Sequence, residues 1–393
     1  MLNERMIGLG SAPNDIRALF AYGQARKAEI GEDKVFDYSI GNPSIPAPQE
    51  VKDCITRLLE EDPVALHSYS QSPGDPKCRQ AVADHIKRHY GIDAKMEQIY
   101  ITHGASSALA ITFKAICSAG DEVIVPTPYF TEYKTWIESA DAKIIEVPCT
   151  VPSFQLDVDA ISAAINEKTV AIIVDSPNNP VGSVYRRDNL EALAAMLEAK
   201  EAEYGHAIYI VADEPYRAIS YGIDIPYIPN LYKDTIVCYS FSKTLSLPGE
   251  RIGYIYVSNL MDDVQNVTWA IQGAGRALGY ICASVLFQRV MAECIELPTD
   301  VEAYRSNREL LTSGLKELGY EYVEPDGAFY LWVKALEPDA KAFAERAKSF
   351  EILCCPSDGF GGQGYVRLSY CIAADTIKNS MPAFKKLKES YVA

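Results

Sequence analysis

The sequence has no CxxC pair, no run of about 18 apolar residues, and no apolar signal core in its charged N-terminus. Without a CxxC pair the cysteines lack metal-ligand spacing, and the five histidines are scattered at 67, 85, 89, 103 and 206, so we expect no metal site. The missing apolar run predicts no membrane partner. A chain of 393 residues can bury an ample core without disulfides, so we predict free thiols and a reducing, cytoplasmic location.

Basic residues are also in short supply. Lys and Arg number 37 against 53 Asp and Glu, which gives a net charge of −16. A chain this acidic repels phosphate backbones, so we expect no nucleic-acid partner, although the charge still allows a local basic pocket for one small anion. Hydrophobic residues at 48% and charged residues at 23% exclude a mainly disordered chain.

Short apolar, β-branched runs alternate with helical patterns between residues 98 and 257. The helical patterns include Ser107–Ser118 and Arg187–Tyr204. This alternation is typical of βαβ units, so we predict an α/β fold whose large domain has a mostly parallel seven-stranded sheet flanked by helices. The seven runs are Ile99–Thr102, Glu122–Pro126, Lys143–Val147, Val170–Val174, Ile208–Ala212, Ile236–Tyr239 and Ile252–Val257.

The chain on either side of this region has a different pattern. The first 50 residues show little periodicity, and the C-terminal part mixes helical and strand-like stretches, which favours a smaller α+β domain. We predict an N-terminal arm and part of the small domain at 1–50, the large domain at 51–290, and the C-terminal small domain at 291–393. The C-terminal stretches are Val301–Leu318, Tyr320–Glu324, Phe329–Val333, Asp339–Phe350 and Tyr365–Tyr370.

Polar motifs rich in Gly and Pro follow the carboxyl ends of the predicted strands. In open α/β sheets, ligands bind in the crevice outside those ends. Each motif alone is a weak signal, but five that converge on one edge of a sheet indicate a binding site. They are Thr102-His-Gly-Ala-Ser-Ser, Thr127-Pro-Tyr-Phe, Asp175-Ser-Pro-Asn-Asn-Pro-Val-Gly, Asp213-Glu-Pro-Tyr and Ser240-Phe-Ser-Lys.

Two of these motifs carry groups suited to an amine nucleophile and a phosphate. Lys243 follows a buried strand, where apolar surroundings lower the pKa of an amine and favour Schiff-base chemistry. Arg251 comes after a Pro-Gly turn that can bring it back toward Ser240, and a guanidinium with a hydroxyl suits a phosphate dianion. Gly104 leads into a helix, where backbone N–H groups can approach a phosphate. The structural alternatives are a surface lysine, a salt bridge, and a helix N-cap by Ser106.

Asp213 ends an uncharged run and is predicted to be buried. A buried carboxylate needs a partner, and a protonated pyridine nitrogen is one that would keep the ring an electron sink. A helix N-cap or an internal ion pair is the structural alternative. Tyr216, three residues later, could direct its hydroxyl at the same ligand.

Together these residues resemble the class I/II aminotransferases related to aspartate aminotransferase, which are fold-type I enzymes dependent on pyridoxal 5'-phosphate (PLP). The resemblance rests on Asn-Asn-Pro-x-Gly, Asp-x-x-Tyr and Ser-x-Ser-Lys…Pro-Gly-x-Arg-x-Gly in this order. It runs over nearly the whole chain, from Ile40-Gly-Asn-Pro to Tyr365-Val-Arg-Leu-Ser.

The resemblance implies that PLP is the cofactor, and it assigns roles to individual residues. Lys243 resembles the lysine that forms a Schiff base with the cofactor and later shuttles a proton. Asp213 resembles the partner of the pyridine nitrogen, and Tyr216 and Asn179 resemble the residues that bond the phenolic oxygen. The phosphate would be held by Gly104, Ala105, Ser106, Ser240 and Arg251, and the aromatic residue stacked on the ring would be Phe130 or Tyr129.

The same resemblance implies substrate contacts and a shared site. Arg367 resembles the arginine that binds the substrate α-carboxylate, with the Gly41 backbone and Asn179 beside it. Tyr69 resembles the tyrosine that reaches the phosphate of the neighbouring subunit, so a homodimer is expected. A second arginine for a distal carboxylate has no secure counterpart, because Gln272 lies at about that place and Arg276 is only close to it.

The function implied is transfer of an amino group between an L-amino acid and a 2-oxo acid. The same constellation also serves C–S β-lyases and related lyases or synthases that share the α-proton step, so these remain an alternative. A regulator that binds PLP without turnover, or a Schiff-base aldolase, explains fewer of the motifs. The donor and acceptor are not determined by the sequence.

Overall fold

The computed structural model describes residues 2–11 and 15–392, and these form two compact units. The larger unit comprises residues 43–301 together with 326–328. The smaller unit comprises the residues up to 42, residues 302–325 and the residues from 329 onward.

The strands, numbered along the chain, are β1 (Phe36–Asp37), β2 (Ile99–Thr102), β3 (Glu122–Thr127), β4 (Lys143–Pro148), β5 (Thr169–Asp175), β6 (Tyr209–Asp213), β7 (Thr235–Ser240), β8 (Gly253–Val257), β9 (Tyr322–Val323), β10 (Tyr330–Lys334), β11 (Ile352–Leu353), β12 (Cys355–Pro356) and β13 (Tyr365–Ser369). The helices are α1 (Glu4–Ser11), α2 (Asp15–Ile30), α3 (Gln49–Leu58), α4 (Pro63–His67), α5 (Pro76–Tyr90), α6 (Ala105–Ile116), α7 (Tyr133–Ser139), α8 (Val158–Ala164), α9 (Arg187–Tyr204), α10 (Phe241–Thr244), α11 (Val264–Leu278), α12 (Val285–Cys294), α13 (Val301–Glu317), α14 (Ala340–Lys348) and α15 (Ala374–Glu389).

The larger unit is built on a seven-stranded sheet with the order β2-β8-β7-β6-β5-β3-β4. All neighbours pair in parallel except β8, which runs antiparallel to β2 and β7. The central strands are buried nearly throughout, which explains why their sequences are continuous apolar runs rather than alternating ones. The predicted mostly parallel seven-stranded sheet is therefore confirmed.

The register of this sheet brings the ends of β2, β5, β6 and β7 to one edge. Because parallel strands all finish on the same side, the polar residue that ends each strand lies beside the end of its neighbour. The cross-strand partners at this edge are Thr102 with Gly253, Gly253 with Ser240, Cys238 with Asp213, and Asp213 with Asp175.

One apolar core lies between the sheet and helices α6, α7 and α11. It includes Ile111 and Phe113 of α6, Ile271 of α11 and strand residues such as Val125 and Val211, all at most 1% exposed. Burial of large apolar side chains is worth roughly 1.5–3 kcal/mol each, so this packing holds the sheet edge rigid.

The smaller unit contains a four-stranded sheet with the order β12-β13-β10-β9 and a separate parallel pair, β1 with β11. In the four-stranded sheet all pairs are antiparallel, as expected for an α+β unit. Trp332 of β10 is fully buried and stacks on Tyr365 of β13 at 5.6 Å, with Phe360 against its edge at 5.9 Å.

The structure refines the sequence analysis in several places. Helix α6 begins at Ala105 rather than Ser107, because Gly104 occupies its N-cap position. Residues 291–301 were expected in the C-terminal domain, but α12 packs on α3 and α5 and stays with the larger unit. All ten cysteines are free, as predicted. Within residues 2–11 and 15–392, no helix has the length and apolar character needed to cross a membrane.

Candidate active site

The turn after β7 positions Lys243. Strand β7 ends at Ser240, whose Oγ accepts a hydrogen bond from the backbone N–H of Ser242 at 3.1 Å and so caps the short helix α10. Lys243 lies in this helix and is half-buried. A buried strand and a capped turn therefore hold the amine-bearing residue at the carboxyl edge of the sheet.

Arg251 returns to the same turn, as predicted, but through Ser242 rather than by a direct bond to Ser240. Its Nη1 donates to the Pro248 carbonyl at 3.0 Å and to Ser242 Oγ at 3.4 Å, and Ser240 Oγ donates to Ser242 Oγ at 2.7 Å. Arg251 itself has a left-handed backbone with φ 53°. The two serines and the guanidinium thus form one connected group.

Gly104 brings the first turn of α6 against this guanidinium. Its φ is +85°, and a Cβ added there would lie 2.8 Å from Arg251 Nη2, so only glycine allows this approach. The alternative N-cap by Ser106 is wrong, because Gly104 is the N-cap residue and Ser106 is exposed. Among the described residues no side chain caps α6. Its first N–H groups and the helix dipole, with Arg251 beside them, suit an anion.

Asp213, at the end of β6, is 5% exposed, as predicted. Its Oδ2 accepts a hydrogen bond from the Tyr133 hydroxyl at 2.6 Å, whereas its buried Oδ1 has no hydrogen-bond partner in the part of the chain that the structure describes. Burial is the main cause that raises the pKa of Asp213 to about 7; the Tyr133 hydrogen bond lowers this pKa and the charge of Glu214 adds to the rise. The site therefore holds a carboxyl group with one oxygen left for a ligand.

Asp175 stands opposite Asp213 in the register and is also buried. Its Oδ2 accepts a hydrogen bond from the Asn179 backbone N–H at 2.9 Å. Burial, together with repulsion from Asp213, raises the pKa of Asp175 well above its ordinary value. Burial raises the pKa of Tyr133 as well, which keeps its hydroxyl a neutral donor.

Two further predicted residues lie in the same buried surroundings. Asn179 is 4% exposed in the turn that follows β5, and Tyr216 is 5% exposed in the turn that follows β6. Both turns start from adjacent parallel strands, so the strand pairing carries the two polar side chains to the same edge as Asp213.

The two candidates for the stacking aromatic residue have different surroundings. The Tyr129 hydroxyl donates to Glu146 of β4 at 2.6 Å, which holds this side chain against the edge strand of the sheet. Phe130 is half-buried, and its ring centroid lies 5.8 Å from that of Tyr133, the residue that binds Asp213. The Tyr129 ring also contacts Tyr133, with centroids 6.2 Å apart, so Phe130 as the stacking residue stays a prediction.

Most of the chain matches one known protein family. Residues 33–384 match the family model for aminotransferase class I and II. The chain belongs to this family. It is an aminotransferase, and its sheet topology and site motifs agree with that membership.

Individual relatives of this aminotransferase cover nearly the whole chain. It is 29% identical over 392 residues to a probable aspartate aminotransferase of Methanocaldococcus jannaschii, covering 96% of this chain and 97% of that one. It is also 29% identical over 398 residues to aromatic-amino-acid aminotransferase 2 of Thermococcus litoralis, covering 96% of each. The crystal structure of an amino transferase from Eubacterium rectale matches with a TM-score of 0.98 and 47% identity over 100% of both chains.

In the smaller unit, this aminotransferase brings together the two remaining residues expected to bind substrate. Arg367 is 2% exposed, donates to the Ser39 carbonyl at 2.7 Å and lies 4.7 Å from the centre of the Tyr330 ring. A Cβ at Gly41 would lie 2.2 Å from the Tyr330 hydroxyl, so the glycine allows the tyrosine to pack there. Arg367 is thus a positioned, buried cation.

Tyr69, which is expected to contact the neighbouring subunit, and the two residues considered for a distal carboxylate are on the surface of the larger unit. Tyr69 is 95% exposed, and together with Cys282 and Ala283 it lines a shallow recess. On α11, Gln272 is half-buried and Arg276 is exposed.

Sequence reasoning missed Tyr133 and Asp175. Asp175 begins the Asp-Ser-Pro-Asn-Asn-Pro motif, so the sequence indicates that it lies at a strand end. The sequence does not indicate that Asp175 pairs with Asp213 across neighbouring strands. Tyr133 is 80 residues from Asp213, and no local pattern marks it.

Proposed function

We propose that this aminotransferase binds PLP along the carboxyl edge of its large sheet and transfers an amino group between an L-amino acid and a 2-oxo acid. The observation that carries the proposal is the buried Asp213, whose Oδ1 has no hydrogen-bond partner among the described residues. A buried carboxyl oxygen needs a partner, and the protonated nitrogen of a pyridine ring would supply one.

The chain's residues fit PLP at both ends of this edge. Gly104, Ala105 and Ser106 offer backbone N–H groups, and Arg251 and Ser240 offer a guanidinium and a hydroxyl, which together suit a phosphate dianion. Asp213 would hold the ring nitrogen, and Tyr216 and Asn179 would bond the ring oxygen. Phe130 would stack on the ring.

When bound, PLP supplies an aldehyde that condenses with amines and a ring that accepts the electron pair released by loss of the α-proton. Lys243 would hold the cofactor through Nζ and then move the α-proton of the substrate with the same atom. Asp213 would keep a proton on the ring nitrogen, which requires its ionised form. Arg367 would bind the substrate α-carboxylate, with Asn179 and the Gly41 backbone as further contacts.

A homodimer with shared sites accounts for the surface of the larger unit. Tyr69 is 95% exposed. The Cys282 thiol donates to the carbonyl of Ser70, the residue after Tyr69, at 3.4 Å, and several large apolar side chains that precede Cys282 in the sequence are also exposed. Exposed apolar surface of this kind is typical of a subunit interface. In the dimer Tyr69 would reach the phosphate of the neighbouring subunit. The exposed side chains are Trp269, Leu278, Tyr280 and Ile281.

Cofactor attachment can be tested by borohydride reduction of the holoenzyme and peptide mapping. We expect the pyridoxyl label on Lys243 and no label in Lys243→Ala. A label on a different lysine in the wild-type enzyme would overturn the assignment.

The reaction can be tested by mixing the holoenzyme with single amino acids and identifying the products. Aspartate and the aromatic amino acids come first, because relatives are named for them. We expect the corresponding 2-oxo acid, with the amino group retained by the cofactor until a second oxo acid is added. Release of ammonia and pyruvate from a sulfur amino acid would instead identify a C–S β-lyase.

The shared site can be tested by mixing two impaired parents, Lys243→Ala and Tyr69→Ala. A mixed dimer has one site with both residues intact and one with neither, and about half the dimers are mixed after random exchange, so activity should return to roughly a quarter of wild type. If subunits demonstrably exchange and activity stays at the parental level, Tyr69 does not serve its neighbour.

A further inference from the structure

A cluster of two histidines and one glutamate lies on the larger unit, where helix α5 meets the end of α12. His85 and His89 are four residues apart on α5, so they share one face of the helix, and their ring centroids are 4.4 Å apart. Glu296 follows the end of α12 and reaches both rings. His85 Nδ1 lies 3.0 Å from Oε1 and His89 Nε2 lies 2.7 Å from Oε2.

We propose that His85, His89 and Glu296 form a binding site for a divalent transition-metal ion of the zinc class. The donor atoms of the three side chains lie within 4.8 Å of one another. A zinc ion with bonds of about 2.0–2.2 Å would separate its tetrahedral donors by about 3.4 Å. The donor atoms are 2.7 and 3.0 Å apart in the two His–Glu pairs and within 4.8 Å overall, so movements of about 1.5 Å or less would bring them to that separation. Water would complete the coordination.

The donor set selects the ion. Two imidazole nitrogens and one carboxylate oxygen are a set that zinc and its neighbours prefer, whereas Mg²⁺ and Ca²⁺ take oxygen ligands. On binding, the ring nitrogens that face Glu296 give up any proton they carry and become metal ligands.

The backbone that carries the three ligands is fixed. Helix α5 packs on α12, and the Asp75 backbone N–H at the start of α5 donates to the buried Gln288 of α12 at 2.5 Å. The ligands themselves remain accessible, since the His89 side chain is 46% exposed and the Glu296 side chain 37%. An ion can therefore enter without unfolding of either helix.

Arg88 would compete with a metal ion for the Glu296 carboxylate. Its Nη1 lies 2.5 Å from Oε1, and its side chain is 60% exposed. An exposed ion pair of this kind is weak, so the guanidinium can turn into solvent when a metal binds. This makes a distinctive prediction, because removal of a nearby cation should strengthen metal binding rather than leave it unchanged.

The test is titration of the holoenzyme with Zn²⁺, followed calorimetrically, and with Co²⁺, followed by absorbance. We expect one ion per chain in the wild-type enzyme and binding weakened about tenfold or more in His89→Ala and in Glu296→Gln. Arg88→Ala should bind more tightly. Lys87→Ala is the matched control, because Lys87 is on the same helix but pairs with Asp93. Saturating Zn²⁺ should raise the Tm of the wild type and of Lys87→Ala but not of His89→Ala.

Each of three results would overturn the proposal. If the wild-type enzyme does not bind one Zn²⁺ per chain, the proposed site does not exist. Equal affinity in His89→Ala and the wild type would place the ion elsewhere. A thiolate charge-transfer band on Co²⁺ binding would assign the ion to cysteines. The proposal does not depend on the reaction, because every readout is metal binding or stability.

Discussion

The two ends of the carboxyl edge differ in how their charges are satisfied. At the end formed by α6 and the turn after β7, an exposed arginine and two serines are hydrogen-bonded to one another beside Gly104. At the end formed by β5 and β6, two carboxyl groups that are 4–5% exposed face each other, with one oxygen of each lacking a hydrogen-bond partner among the described residues.

This difference shows which end depends on a ligand. The donor-rich end needs no ligand to be stable, because its guanidinium is exposed and hydrogen-bonded to the turn. The acidic end carries the desolvation cost of two buried carboxyl groups. The Tyr133 and Asn179 hydrogen bonds offset part of this cost, and a bound cation or a proton would offset more of it. The first end would anchor a ligand, and the second would control what the ligand does chemically.

Among the substitutions that test this difference between the two ends, Asp213→Asn should have the largest effect, a loss of turnover. The amide cannot hold a proton on a ring nitrogen, so we expect turnover to fall about 10²-fold or more while PLP stays bound at the Arg251 end. Single-turnover kinetics and cofactor affinity measured together check this. Asp234→Asn is the matched control, a buried aspartate at the start of β7. Near-normal turnover in the Asp213 variant would mean that its role is structural.

Arg251→Lys should affect the other end. Lysine keeps the charge but loses the planar fork, so about 1.5 kcal/mol of hydrogen bonding is lost and PLP affinity falls about tenfold. The turnover of the loaded enzyme should change much less. Equilibrium dialysis measures the affinity for PLP, and assays at saturating PLP measure the turnover of the loaded enzyme. Arg186→Lys, an exposed arginine paired with Asp188, serves as control. Loss of turnover without loss of affinity would contradict the division between the two ends.

Tyr133→Phe should produce a smaller effect confined to the acidic end. The Tyr133 hydrogen bond lowers the pKa of Asp213, so its removal should raise that pKa above about 7 and leave less of the ionised form at neutral pH. We expect a few-fold loss of turnover near pH 7 that recovers at higher pH, seen as a shifted acid limb of the pH profile. Tyr232→Phe, which removes a similar tyrosine bond to Glu201, should leave the profile unchanged.

Asp175→Asn should have the smallest effect, on the stability of the cofactor-free protein. The folded-state pKa values of Asp175 and Asp213 are raised, so each contributes stability that is complete below about pH 4 and is lost as the pH rises toward and beyond 7. Removal of one carboxyl should reduce this loss.

Urea unfolding at pH 5 and pH 8 measures the change. The difference in unfolding free energy between the two pH values should be smaller in Asp175→Asn than in the wild type. An identical difference in both proteins would mean that folding does not raise the pKa of Asp175.

Much of the site followed from local pattern. Continuous β-branched runs predicted the seven strands, because a strand buried on both faces needs apolar residues throughout. The motifs after those runs placed Lys243, Asp213 and Arg251 at one edge, since parallel strands end on the same side. The start of α6 was misplaced by two residues, because glycine at the N-cap gives a weaker signal than serine.

The sequence by itself determined the fold class, the family and the residues of each turn, since these depend on periodicity and on motifs that are contiguous in the chain. Only the tertiary structure decided the partner of Asp213, which is 80 residues away, and the meeting of His89 with Glu296, which is 207 residues away. The physical reason is that a hydrogen bond or a ligand cluster depends on distance in space to within a few tenths of an ångström. Strand register and helix packing set that distance, and neither can be read from spacing along the chain.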